Sequence, residues 1–90
     1  MNEKDLEEKI VEVIKLLEKE INIRNKGKGV YKKILNTYRN SLEACREGAL
    51  EKISIRGGVR YFYDSMADYN EELLSKMDEA EKIITTLRDA

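Results

Sequence analysis

Apolar residues recur along this chain in four runs with helical spacing, separated by short polar or glycine-bearing breaks. In the first run, Leu6, Ile10, Val13, Ile14, Leu17 and Ile21 follow one another at intervals that place them on one side of a helix over 5–24. Asn2 or Asp5 can cap that helix, and the acids near its start suit the positive end of the helix dipole. Val11, Leu16 and Ile23 fall off the stripe and widen the apolar surface. A break at 25–29 supplies two glycines and an asparagine, the residues that end helices in left-handed conformations.

The second run is Tyr31, Leu35, Tyr38, Leu42, Cys45, Ala49 and Ile53, with Ile34 beside it. This is an a/d seam with one late slip, and it predicts a helix over 30–53. Gly48 lies inside that span, at a cost of about 1 kcal/mol against alanine, and marks the place where the helix is most easily broken. The last run, Leu73, Met77, Ala80, Ile84 and Leu87 with Leu74 and Ile83 flanking it, is the clearest heptad and predicts a helix over 71–88 capped by Asn70.

Between these runs the pattern fails at 54–64, where Gly57 and Gly58 stand side by side and aromatics cluster as Tyr61, Phe62 and Tyr63, with Tyr69 beyond. Ser54 is a good N-cap for a short third helix over 55–67, whose face holds Val59, Phe62, Tyr63 and Met66, with Arg60 and Asp64 paired opposite. The alternation of Ile53, Ser54 and Ile55 also fits a short strand over 52–56, which has no visible partner. The expected fold is all-α: a single domain over 1–90, a small up-and-down helical bundle of three long helices and one short helix.

Composition agrees with that fold. Charged residues make up 39% of the 90 residues, hydrophobic residues 41%, and proline is absent, as in chains built of long helices. At this size about 64% of the unfolded chain's surface is buried, enough for one modest core. The charge is unevenly spread. Residues 25–48 carry six bases and two acids, whereas 1–24 and 70–90 are net acidic, which predicts a basic second helix packed between acidic first and fourth helices.

The chemistry available is narrow. The chain has no histidine and one cysteine, so the commonest general base, a Cys/His zinc site and an internal disulfide are all excluded. Cys45 sits on a seam and reads as a small buried hydrophobe. The carboxylate pairs Glu43 with Glu47 and Asp64 with Asp68 read as solvated surface rather than as metal ligands. No signal peptide or membrane span is visible, so the expected location is the cytoplasm.

These features predict a non-enzymatic protein with no cofactor and no metal. It would act by binding a protein partner or a second copy of itself, most simply as a homodimer. Candidate interface residues are Tyr61 and Arg60, which combine residue types enriched in binding hot spots, with Tyr69, and with Val11 and Leu16 from the surplus apolar surface of the first helix. The competing expectation is an anion- or nucleic-acid-associated module. Arg56, Gly57, Gly58 and Arg60 would form a cationic nest of backbone N–H groups around Val59, supported by Lys26, Lys28, Lys32, Lys33 and Arg39. A net charge of −1 makes nucleic acid the weaker form of that expectation.

Overall fold

A computed structural model of the chain describes residues 3–23, 29–65 and 71–89. It holds four helices, α1 (Glu3–Ile23), α2 (Gly29–Arg46), α3 (Gly58–Ser65) and α4 (Glu71–Asp89), with a short 3₁₀ turn at Leu50–Lys52 and no strand among the described residues. The all-α helical bundle is therefore the fold. The side chains of Ile23, Phe62, Tyr63 and Asp64 lie outside the described parts, as do Asn2, Asn25, Lys26, Lys28, Met66, Tyr69 and Asn70.

The core forms where the apolar stripes of the three long helices meet. Leu6, Ile10, Val13 and Leu17 of α1, Tyr31, Ile34, Leu35, Tyr38, Ala44 and Cys45 of α2, and Leu73, Met77, Ala80 and Ile84 of α4 are all buried. The buried stripe of α1 ends on Glu20 instead of Ile21, and that of α2 takes in Ser41 where the seam expects Leu42, which is only partly buried. Leu74 and Ile83, the residues flanking the α4 seam, are buried as well.

The arrangement of the helices corrects the expectation drawn from charge. The central helix is α1, which packs against both α2 and α4, whereas α2 and α4 make no close backbone approach. Arg39 and Arg46 of α2 pair with Glu18 and Glu7 of α1, at 2.8 and 2.7 Å. On the other flank of α1, Lys9 and Lys76 interleave with Glu12 and Glu79 at 3.3–3.7 Å, a closed lattice of four charges joining α1 to α4. The opening between α2 and α4, opposite α1, is filled by the chain from the 3₁₀ turn through α3.

Two boundaries differ from the sequence reading, and glycine causes both. The second helix stops at Arg46 instead of continuing to 53. Gly48 adopts φ +73°, its N–H donates to the Cys45 carbonyl, and the Ala49 N–H donates to the Ala44 carbonyl at 2.8 Å. These are the two bonds of a Schellman stop. The third helix begins at Gly58 rather than at 55, because Gly57 at φ +90° turns the chain immediately before it. Ser54 is accordingly not its cap. Ile53 is extended and residues 53–55 belong to no helix, with Ile53 and Ile55 buried and Ser54 exposed, so the alternation of burial is real but forms no strand among the described residues.

Candidate functional site at the α2–α3 cleft

Gly57 is the residue from which α3 starts: its carbonyl accepts the Tyr61 N–H at 2.9 Å. It has no side chain with which to cap the helix. The cap comes from α4, where the Glu81 carboxylate accepts the Gly57 N–H at 2.9 Å through one oxygen and the Val59 N–H at 3.0 Å through the other. In a capping box, one side chain serves the N–H two or three residues in and another reaches back to the cap residue's own N–H. Here a single carboxylate from a different helix does both. Of the N–H groups expected to form an anion nest, that of Gly57 is given with Val59 to the protein's own Glu81 carboxylate, and that of Gly58 goes to the Ile55 carbonyl at 3.2 Å.

Gly58 has a separate role. A Cβ placed there would lie 3.1 Å from the terminal methyl of the buried Met77, so the missing side chain lets α3 settle closely on α4. The other end of this connecting segment is held by Arg88 of α4, whose guanidinium donates to the Leu50 and Ile53 carbonyls at 2.7 Å. The middle is held from α2, where the Ser41 hydroxyl accepts the Ser54 N–H at 3.4 Å.

Pinned in this way, the segment leaves a cleft of about 180 Å³ against α2. Its floor is formed by Ile34, Tyr38 and Ile55, and its rim by Lys33, Thr37, Ser54, Arg56, Gly57, Gly58 and Tyr61. Tyr61 is 37% exposed, the exposed large hydrophobic among the described residues, and the Lys33 ammonium stands 5.3 Å from its ring centre. That is within cation–π range. Tyr38 is 1% exposed and its hydroxyl has no hydrogen-bond partner among the described residues. Burial, reinforced by the Glu81 charge, pushes its ionisation well above the usual tyrosine range. The cleft presents two cationic side chains, a hydroxyl-bearing rim and an aromatic edge, and among the described residues no acidic side chain lines it.

The cleft gathers some of the sequence candidates and leaves others apart. Tyr61, Arg56, Gly57 and Gly58 line one surface. Arg60 is exposed on α3. Val11 belongs to a different, acid-rich surface with Glu7, Glu8, Glu12 and Arg46. Leu16 packs against the core, as do Ile14, Ile21 and Leu87, so the apolar surplus of the helices is largely covered within the chain. Tyr69, Lys26 and Lys28 lie outside the described residues. Lys32 and Arg39 line a separate cleft together with Glu18.

Glu81 and Arg88 were not singled out by sequence. They are two among many charged residues on α4, and nothing in their spacing separates a residue that holds backbone from one that faces water. Cys45 is buried, its thiol 3.5 Å from the Glu3 carbonyl, and burial with the nearby Glu7 and Glu3 charges pushes its ionisation up. Among the described residues, no group of three His, Cys, Asp or Glu is placed to hold a metal ion, and no helix is long and apolar enough to cross a membrane.

A family model described as YeeD uncharacterised protein matches residues 1–90. No curated protein and no solved structure gives a significant match.

Proposed function

The chain belongs to the YeeD family, and we propose that it is a non-enzymatic, cytoplasmic protein that binds a protein partner in the cleft between α2 and α3. The observation that carries this reading is the cleft's composition: an exposed aromatic edge, Tyr61, stacked under Lys33 beside a cavity large enough for one side chain. Aromatic and cationic residues around a small pocket are the usual anchors of protein interfaces, and a cavity near 150 Å³ accepts a ring the size of benzene. The chain's chemistry points the same way. It has no histidine, and its one cysteine is buried with its thiol held in the unreactive form.

A nucleic-acid role is less favoured, because Arg39 and Arg46 are paired with acids of α1. Self-association is less favoured because Leu16, Leu74 and Ile83, three of the apolar residues that motivated it, pack within the chain.

The test is paired affinity capture with the full chain as bait, comparing wild type with Tyr61→Ala. Tyr61 is exposed, so the variant should fold normally, as checked by circular dichroism. A protein held by wild type and lost from the variant supports the reading. Identical captured sets, or recovery of nucleic acid in place of protein, overturns it, and capture of the chain itself through Tyr61 redirects it to a homodimer.

A further inference from the structure

The chemistry of the α2–α3 cleft also specifies what kind of segment would fill it. Resting on the reading of this cleft as the partner site, we infer that the occupant is an acidic peptide segment of a partner protein. An Asp or Glu carboxylate would sit at the rim with Lys33 and Arg56, and an adjacent apolar side chain would enter the cavity over Ile34, Tyr38 and Ile55. The argument is one of charge complementarity. Lys33 and Arg56 are both exposed, both line the cavity, and neither has an acidic partner among the described residues. Among the described residues Lys33 meets the ring of Tyr61 and no carboxylate.

Elsewhere several cations of the described residues are paired. Arg39, Arg46, Lys9, Lys76 and Lys82 each pair with a carboxylate. Two cations without an acidic partner among the described residues, brought to one cavity, favour an anionic partner there.

The same geometry favours a carboxylate over a phosphate group. A phosphate at a helix start is held by backbone N–H groups, and here the Gly57 and Val59 N–H groups are already given to Glu81. The Glu81 charge behind Gly57 would also repel a dianion more strongly than a singly charged carboxylate. The cavity floor is apolar and about one side chain in volume, which calls for a neighbouring aliphatic or aromatic residue rather than a run of acids alone.

The test is selection of a random decapeptide library on the full chain, followed by affinity measurement of the selected peptides against wild type, Lys33→Gln, Arg56→Gln and Tyr61→Ala. The expected result is enrichment of Asp or Glu next to an apolar residue. Affinity should fall about three- to tenfold for either charge variant and should weaken as salt is raised. Selection of neutral or basic peptides overturns the inference. So does recovery of no peptide that depends on Lys33 or Arg56. Displacement of a selected peptide by sodium glutarate or inorganic phosphate at a concentration near the peptide's own also overturns it, since a free small anion would then suffice. If Tyr61→Ala abolishes partner capture while Lys33→Gln and Arg56→Gln leave it intact, the acidic occupant fails and the cleft reading stands. If Tyr61→Ala has no effect on capture, the cleft reading itself fails.

Discussion

Replacing Gly57 by alanine would force a Cβ onto backbone at φ +90°, where nothing crowds the space but the conformation itself is strained for an L residue. The expected cost is about 1–2 kcal/mol in chemical denaturation. Gly58→Ala is a different experiment. Its Cβ meets the flexible end of Met77 at 3.1 Å and a Glu81 carboxylate oxygen at an ordinary 3.8 Å, so a small shift of Met77 offsets the gain in helix propensity. The net change should stay within about 0.5 kcal/mol. A larger loss at Gly58 than at Gly57 would show that close packing, and not the turn, is what these glycines serve.

Tyr38 allows a second residue-scale test. Its hydroxyl is buried without a partner, so Tyr38→Phe should be neutral or stabilise by about 1 kcal/mol, against the usual loss when a bonded hydroxyl is removed. At this scale the sequence was partly legible. The pair of glycines marked a bend because few other residues accept positive φ, but only the fold could tell that one glycine serves the turn and the other the contact with α4.

At the scale of the element, α3 is held at its start by Glu81, while Arg88 holds the chain leading into it. Removing the Glu81 side chain leaves two N–H groups without their carboxylate, and Glu81→Ala should cost about 1–3 kcal/mol. Hydrogen exchange should localise the effect, with faster exchange at Gly57 and Val59 and in α3 and unchanged protection in the centre of α1. Uniform loss of protection across the chain would contradict the clamp. The three long helices were legible because 3.6-residue periodicity persists over several turns. Helix ends set by tertiary contacts were not. The start of α3 depends on a carboxylate 22 residues beyond Val59, whereas the stop at Arg46 is local and Gly48 had marked it in the sequence.

For the whole molecule, the ionisation shifts that are resolved all run upward. Lys9 is raised by its hydrogen bond to Glu79, Lys82 by its bond to Asp78, and Cys45 and Tyr38 by burial. A raised value means that the folded state holds its proton more tightly than the unfolded chain does. These contributions are therefore complete at neutral pH and are lost as pH rises past the ordinary values of 9.0 for the thiol, 10.0 for tyrosine and 10.5 for lysine. Thermal unfolding midpoints should fall from about pH 9 upward, and Cys45→Ala should remove the earliest part of that fall. An alkaline limb unchanged in the cysteine variant would place the first loss elsewhere. The accessible surface of 5606 Å² is close to the roughly 5,400 Å² expected of a folded monomer of this mass. The sequence did not reveal that Leu16, Leu74 and Ile83 are covered within the chain, because periodicity shows which residues are apolar and not which neighbour covers them. A central α1 was likewise hidden, since charge blocks constrain neighbours without ordering them.

The cap supplied by Glu81 has a kinetic consequence. An eight-residue helix is too short to persist alone in water, and Gly57 at the start of α3 has no side chain with which to cap it. It should therefore assemble late, once α4 has docked on α1 and brought Glu81 into position. In a chevron experiment, Glu81→Ala should leave the refolding limb nearly where it is and shift almost the whole loss of stability into faster unfolding. A slowed refolding limb would instead put α3 in the nucleus, ahead of the helix that caps it.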